Sequence, residues 1–347
     1  MSTEQKSTKD KAGKEHRMRT GRSLRRLGAL ALALTVAVTG CASNGAPAAE
    51  GGTRVFAADN GQITIPAKPK RVVATGYAVP ALIEAGAPLV GISTWARGIP
   101  LMTPEDKATY DGLKKVAGEQ AAETNYEAIA NARPDLIVIG VPAPVLKDID
   151  VNRLKAVAPV VAIGPTIPSA WRELSRKQAD AAGALANFDR TQGEYKAKAD
   201  QIAARYKAVL PQLKLGHVGA YGEVAKGNFQ REFNGSWGTN IAQDVGANYY
   251  GEVKKKGGGS KDVSEYPSIE ELPTAFAQAD AITYSVKADG SVPPAVQYAL
   301  DSPLWKNLPA VKAGKVYPFR YTEAATYKGA MMTLDAIDKA FAPLLAK

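Results

Sequence analysis

Cysteine is almost missing from this sequence: 347 residues hold one, Cys41. A lone thiol closes no internal disulfide, and a free one is a liability outside the cell. Histidine is nearly as scarce, with His16 and His217 alone. Without a His/Cys cluster, a dedicated zinc or copper centre lacks its ligands. No EF-hand-like loop offers a calcium cage, although carboxylate-built iron or calcium sites stay open. A Ser-His-Asp mechanism would have to run through His217, which sits in an apolar strand pattern where core packing is the simpler role. No G-x-S-x-G elbow or G-x-G-x-x-G fingerprint occurs. Residues 222–227 have the glycine spacing of a P-loop, but Asn228 stands where its lysine would be. An enzyme is therefore the disfavoured class, and no resident cofactor is expected.

A one-sided charge balance is also lacking. Lys and Arg total 44 against 34 Asp and Glu, but nine of the bases and three of the acids fall in residues 1–40. The remaining chain carries 35 and 31, too even for a nucleic-acid-binding surface. Within the basic N-terminal stretch, residues 27–38 form an uncharged apolar run closed by Val38-Thr39-Gly40-Cys41. The run is shorter than the ~20 residues of a membrane span. Residues 1–40 have the layout of a secretory signal peptide. The closing tetrapeptide resembles the bacterial lipobox. That resemblance implies diacylation of Cys41, which becomes the mature N-terminus, exported and lipid-anchored to the outer face of the cytoplasmic membrane. Arg25-Arg26 leaves Sec and twin-arginine export both open. Residues 41–56 are mostly small and polar with Pro and Gly, the composition of a flexible tether.

The remaining chain alternates short β-branched runs with helical patterns. Strands are expected at residues 71–75, 89–93, 134–140, 160–163, 214–221, 280–286 and 315–320. Helices are expected between them and at residues 330–345. This alternation predicts an α/β fold of βα units and mostly parallel sheet. Thr103-Pro104-Glu105 has an N-cap followed by proline at the first helical position. A weak echo, YEAI before PDLI and IEEL before ADAI, suggests two similar halves.

Three segments together resemble the iron-siderophore-binding family of periplasmic-type receptors, and within it the ferrioxamine-binding lipoproteins most. They are RVVATGYAVPALIEAGAPLVGIST, NYEAIANARPDLIVIG and SPLWKNLPAVKAGKVYPF, in that order along residues 70–345. The resemblance implies two Rossmann-like lobes joined by a single long helix. The N-terminal lobe would span residues 57–168, the connecting helix 169–190 and the C-terminal lobe 191–347. It also implies a shallow cleft between the lobes, no catalysis, and delivery of a ferric siderophore to an ABC permease. Glu127 and Glu270 would be the surface carboxylates that dock onto the permease, although an acid in the first turn of a helix also complements its dipole. A monomer is the default.

A siderophore fills the iron's coordination sphere itself, so its receptor needs no metal ligands of its own, only aromatic walls and a few donors. In open α/β sheets, ligand residues lie just beyond the carboxyl ends of strands. Those positions give Tyr77, Trp95, Arg97, Tyr221, Arg231, Phe233, Trp237, Tyr284, Arg320, Tyr321 and Tyr327 as candidates. Arg231 between Phe229 and Phe233 also fits a plain strand, and Trp305 fits packing. Scattered arginines suit a neutral or weakly charged hydroxamate better than an anionic catecholate. Cobalamin, haem and catecholate siderophores are the alternative cargoes.

Overall fold

The computed structural model describes residues 52–345. The predicted signal peptide, Cys41 and most of the predicted tether lie outside them. The described chain opens with an antiparallel hairpin, β1 (Thr53–Ala58) and β2 (Gly61–Pro66). Sequence reasoning did not foresee it, and β1 takes the last residues assigned to the tether. Its turn docks on the first lobe through Asn60. That side chain donates to Val160 O (3.0 Å) and accepts from Ala162 N (2.9 Å). A strand edge that would otherwise stay open is thereby paired.

The first lobe is a five-stranded parallel sheet of β3 (Val72–Gly76), β4 (Leu89–Ser93), β5 (Lys115–Ala117), β6 (Leu136–Gly140) and β7 (Val160–Ala162), in the order 5-4-3-6-7. Every residue of β3, β6 and β7 is buried. Helices cover both faces, so these strands are apolar runs without alternation. The second lobe repeats the plan with β8 (Leu215–Gly219), β9 (Gln230–Glu232), β10 (Ser264–Glu265), β11 (Ala281–Ser285) and β12 (Val316–Phe319), in the order 10-9-8-11-12. Here β8, β11 and β12 are parallel, while β9 and β10 are antiparallel additions at one edge.

Helix joins the two sheets. From β7 the chain enters Trp171–Ala181, turns at Gly183 (φ 71°) and continues as Leu185–Tyr206 into β8. The bridge is thus two segments meeting at a left-handed glycine, a conformation that costs other residues more. Cross-lobe bonds hold its first turn. Trp171 Nε1 donates to Asn240 Oδ1 (3.1 Å), and Arg172 pairs with Asp244 (2.5 Å). Tyr327, the first residue of the last helix (Tyr327–Phe341), packs against Trp171, Phe188 and Tyr195, with ring centroids 4.9, 5.4 and 5.1 Å away.

A second tie crosses between lobes. Glu84 ends the Ala78–Glu84 helix of the first lobe. Its carboxylate accepts the backbone N–H of Tyr327 (2.9 Å) and of Lys328 (2.6 Å) at the start of the last helix. Two N–H donors and a helix N-terminus favour the anion, but burial outweighs them and raises its pKa from 4.5 to about 7. A raised pKa means the folded protein holds this proton more tightly than the unfolded chain does. The associated stability is therefore full below about pH 4.5 and is lost as pH rises through about 7. Glu232, also raised by burial to about 7, acts with the same sign. Buried His217, lowered from 6.5 to about 3, opposes one of the two carboxylates below about pH 6.5, so thermal melts should show the melting temperature falling with rising pH most clearly as pH approaches 7. Glu84→Gln should flatten part of that slope, and an unchanged slope would contradict the assignment.

Candidate ligand cleft

The carboxyl end of β3 sets the first wall. Gly76 closes the strand at φ 62°, where an added Cβ would stand 2.5 Å from Gly140 O. This close approach lets Tyr77 N bond Gly140 O at 2.8 Å and fixes where the Tyr77 ring leaves the sheet. Trp95 follows β4, and its backbone N–H donates to the Tyr110 hydroxyl (2.9 Å). The indole is 4% exposed and meets Tyr77 edge-on at 4.8 Å. Arg97 lies over both rings, 4.1 Å from the Trp95 centroid and 5.0 Å from that of Tyr77, and reaches Glu119 at 3.4 Å.

The second lobe supplies the facing wall. Tyr221 lies two residues past β8, its N–H bonded to Gln230 Oε1 (2.8 Å), and 51% of it is exposed. Trp237 sits on the loop after β9, its ring parallel to Tyr77 at 6.4 Å. Glu232 fixes that loop by accepting Gly238 N–H (2.6 Å), and Asn240 Nδ2 donates to Trp237 O (3.2 Å). Past β12, residues 320–326 bring Glu323, Ala325 and Thr326 to the cleft. Tyr321 in this loop holds φ 60°, a left-handed conformation costly for an aromatic residue. Together these walls border about 650 Å³ of empty space, open solvent included. Partial burial, reinforced by the Glu323 carboxylate, raises the pKa of the Tyr221 phenol. Burial also raises that of Tyr77, against the opposing pull of Arg97. Both phenols stay neutral and can donate.

Five of the eleven predicted ligand residues therefore meet in one cleft: Tyr77, Trp95, Arg97, Tyr221 and Trp237. Tyr321 lines an adjoining recess of about 770 Å³ shared with Arg97 and Glu323. The other five lie elsewhere. Tyr327 is 2% exposed, and its hydroxyl accepts from Gln192 Nε2 (2.7 Å), so it belongs to the aromatic knot under the bridge. Strand alternation turns Arg231 to the face opposite Gln230 and Glu232, where it covers Phe233, Tyr250 and Phe276 at 4.6, 5.0 and 5.8 Å. Phe233 is buried beneath it. Tyr284 packs on the core of the second lobe. Arg320 is exposed in a separate depression beside Gly290 and Asp335.

Sequence reasoning missed Glu323, Met102 and Asp106, which also line the cleft. Glu323 was readable as a position, because it stands four residues past β12. A carboxylate is an unexpected choice, however, for meeting the oxygen-rich surface of a siderophore.

His217 is fully buried, bonded to Thr283 (2.7 Å) and Ser285 (3.0 Å), and burial lowers its pKa to about 3. It is a neutral core residue. Trp305 is likewise core. Among the described residues, no group of three or more His, Cys, Asp or Glu is placed to hold a metal ion.

The sequence profile of the periplasmic binding protein family matches residues 72–320. The chain belongs to that family. Its members are the solute-binding receptors of ABC importers and not enzymes. This periplasmic binding protein is 26% identical over 270 residues to the iron(3+)-hydroxamate-binding protein YxeB of Bacillus subtilis, covering 76% of this chain and 77% of that one. It resembles the solved siderophore periplasmic binding protein from the fuscachelin gene cluster of Thermobifida fusca, with TM-score 0.63 and 28% identity. That match covers 80% of this chain and 98% of the other. The FhuD protein of S. pseudintermedius shares the fold, with TM-score 0.62 and 18% identity over 85% of this chain and 99% of that one.

The Trp95 wall depends on Gly98, where an added Cβ would stand 2.1 Å from the indole Nε1. Gly98→Ala should displace the indole at a cost of about 1–3 kcal/mol, typical of overpacking. Thermal melts and near-UV circular dichroism check this; wild-type values in both would contradict the packing described.

Proposed function

We propose that this protein binds a ferric siderophore, most specifically a hydroxamate, in the cleft between Tyr77, Trp95 and Trp237, and delivers it to an ABC permease. The observation that carries the reading is that cleft. Four aromatic residues, two of them tyrosines with neutral phenols, and one guanidinium meet around an open space, with no protein metal ligands needed. Such walls suit a preformed iron complex that shows alkyl chain and partly negative oxygens outward. The name of the Bacillus subtilis relative supports a ferric hydroxamate, and that of the Thermobifida fusca relative supports a siderophore. Export and lipid anchoring through Cys41 complete the proposal.

A second cargo has one observation in its favour. Lys226, Lys254, Lys255 and Lys261 border a groove that begins at Tyr221, a field that would attract an anionic catecholate complex.

Titration of residues 42–347 with a ferric trihydroxamate, followed by tryptophan fluorescence, should show saturable quenching, with ferric catecholate and cobalamin silent. Response to a competitor alone would keep the receptor and discard the hydroxamate. Tyr77→Ala and Trp237→Ala should each weaken binding by about 10- to 100-fold, the usual cost of truncating a central aromatic contact. Unaltered affinity in both would move the site elsewhere.

Glu127 and Glu270 are exposed in the first turns of Tyr126–Asn131 and Ile269–Glu271, capped by Asn125 and Ser268. In the proposal these equivalent positions face the permease. Charge reversal at both should lower iron uptake by cells while leaving ligand titration unchanged; normal uptake would leave the acids as helix caps alone.

A further inference from the structure

Glu323 stands apart from the other charges of the cleft. Arg97 is held over two rings and lies 3.4 Å from Glu119. Asp106 is paired with Lys328 at 2.8 Å, and Glu105 lies 3.5 Å from the same ammonium. Among the described residues, no Lys, Arg or His comes within ion-pair distance of the Glu323 carboxylate, although it is half-buried in the cleft wall. With Asp106 neutralised by Lys328 and Arg97 by Glu119, the uncompensated charge of the cleft is negative.

The neighbours of Glu323 define what could compensate it. It lines the same cleft as Tyr77, Tyr221 and Trp237, and its carboxylate adds to burial in raising the pKa of both phenols. The Tyr77 ring faces Trp237 in parallel. A carboxylate in a cleft walled by aromatic rings attracts a cation through its charge, and the ring quadrupoles add to that attraction. The hydroxamate oxygens of a ferric complex offer Glu323 nothing but repulsion. A receptor for neutral complexes would gain by having an amide or hydroxyl at this position.

We propose that Glu323 makes this cleft selective for ferric hydroxamates that carry a pendant ammonium group, which rests between the Glu323 carboxylate, the Tyr221 hydroxyl and the aromatic rings. The inference rests on the hydroxamate reading above and narrows it to cationic complexes. Arg97, which lies over the Tyr77 and Trp95 rings, remains the donor toward the hydroxamate oxygens.

Two ligands that differ only in this charge provide the test: a linear ferric trihydroxamate ending in a primary amine, and the same complex with that amine acetylated. The wild-type chain should bind the ammonium form about tenfold or more tightly, the range of one charge-assisted hydrogen bond. In Glu323→Gln the ratio of the two affinities should fall to near one, with thermal melts confirming that the variant is folded. Equal binding of the two ligands by the wild type would overturn the proposal while leaving the hydroxamate receptor intact. A preference that persists in Glu323→Gln would also overturn it. Tighter binding of the acetylated complex would overturn it in favour of the lysine groove beyond Tyr221 as the dominant field. Failure of both complexes to bind would remove the hydroxamate reading and this proposal together.

Discussion

One buried carboxylate fixes how the two lobes face each other. Glu84 belongs to the first lobe, yet its acceptors are filled by the first two N–H groups of the last helix in the second. A helix N-terminus leaves its first N–H groups without partners in the helix itself. Supplying them from another lobe makes the position of that helix part of the first lobe's geometry. Residues 320–326 lead directly into the helix, so the placement of Glu323, Ala325 and Thr326 opposite Pro80 and Ile83 follows from the same bonds. The bridge adds a second constraint through Trp171, Arg172, Asn240 and Asp244. Two ties on either side of a bent helical connection oppose wide hinge opening, and a preformed cleft is the consequence.

The lobes are repeats with different edges. Tyr77 follows β3 and Tyr221 follows β8, each strand at the centre of its sheet, so one rule of parallel sheets places both phenols at the cleft. The antiparallel strands β9 and β10 exist only in the second lobe, and they carry the loop of Trp237. Glu232 on β9, bonded to Gly238 N–H, is what turns a sheet edge into a cleft wall.

Much of this was legible in the sequence where the signal is local. The apolar runs of β3, β4, β6, β8 and β11 fell within a residue or two of their predicted bounds. Thr103 caps its helix by accepting Asp106 N–H, as its Thr-Pro-Glu sequence predicts. The candidate residues that meet in the cleft are those next to such strands. What was illegible depends on contacts distant in sequence. The β1–β2 hairpin has too few large apolar residues to stand out, and it owes its place to Asn60 reaching β7. Tyr327 looks like a ligand residue because it closely follows β12, but the partners that bury it come from the bridge, more than a hundred residues earlier. Arg231 was ambiguous because alternation does not say which face of β9 meets the cleft. Glu323 was missed because the charge left over in the cleft depends on what Arg97 and Asp106 are already paired with, and pairing is visible only in three dimensions.

In the proposal the bound complex lies between the Tyr77–Trp237 ring pair and Glu323. Anomalous diffraction at the iron absorption edge, from crystals of the chain grown with a ferric trihydroxamate, reads that location directly. The account predicts one iron peak inside the cleft bounded by Tyr77, Trp95, Trp237 and Glu323. A peak in the lysine groove beyond Tyr221, or at the depression beside Arg320, would contradict it.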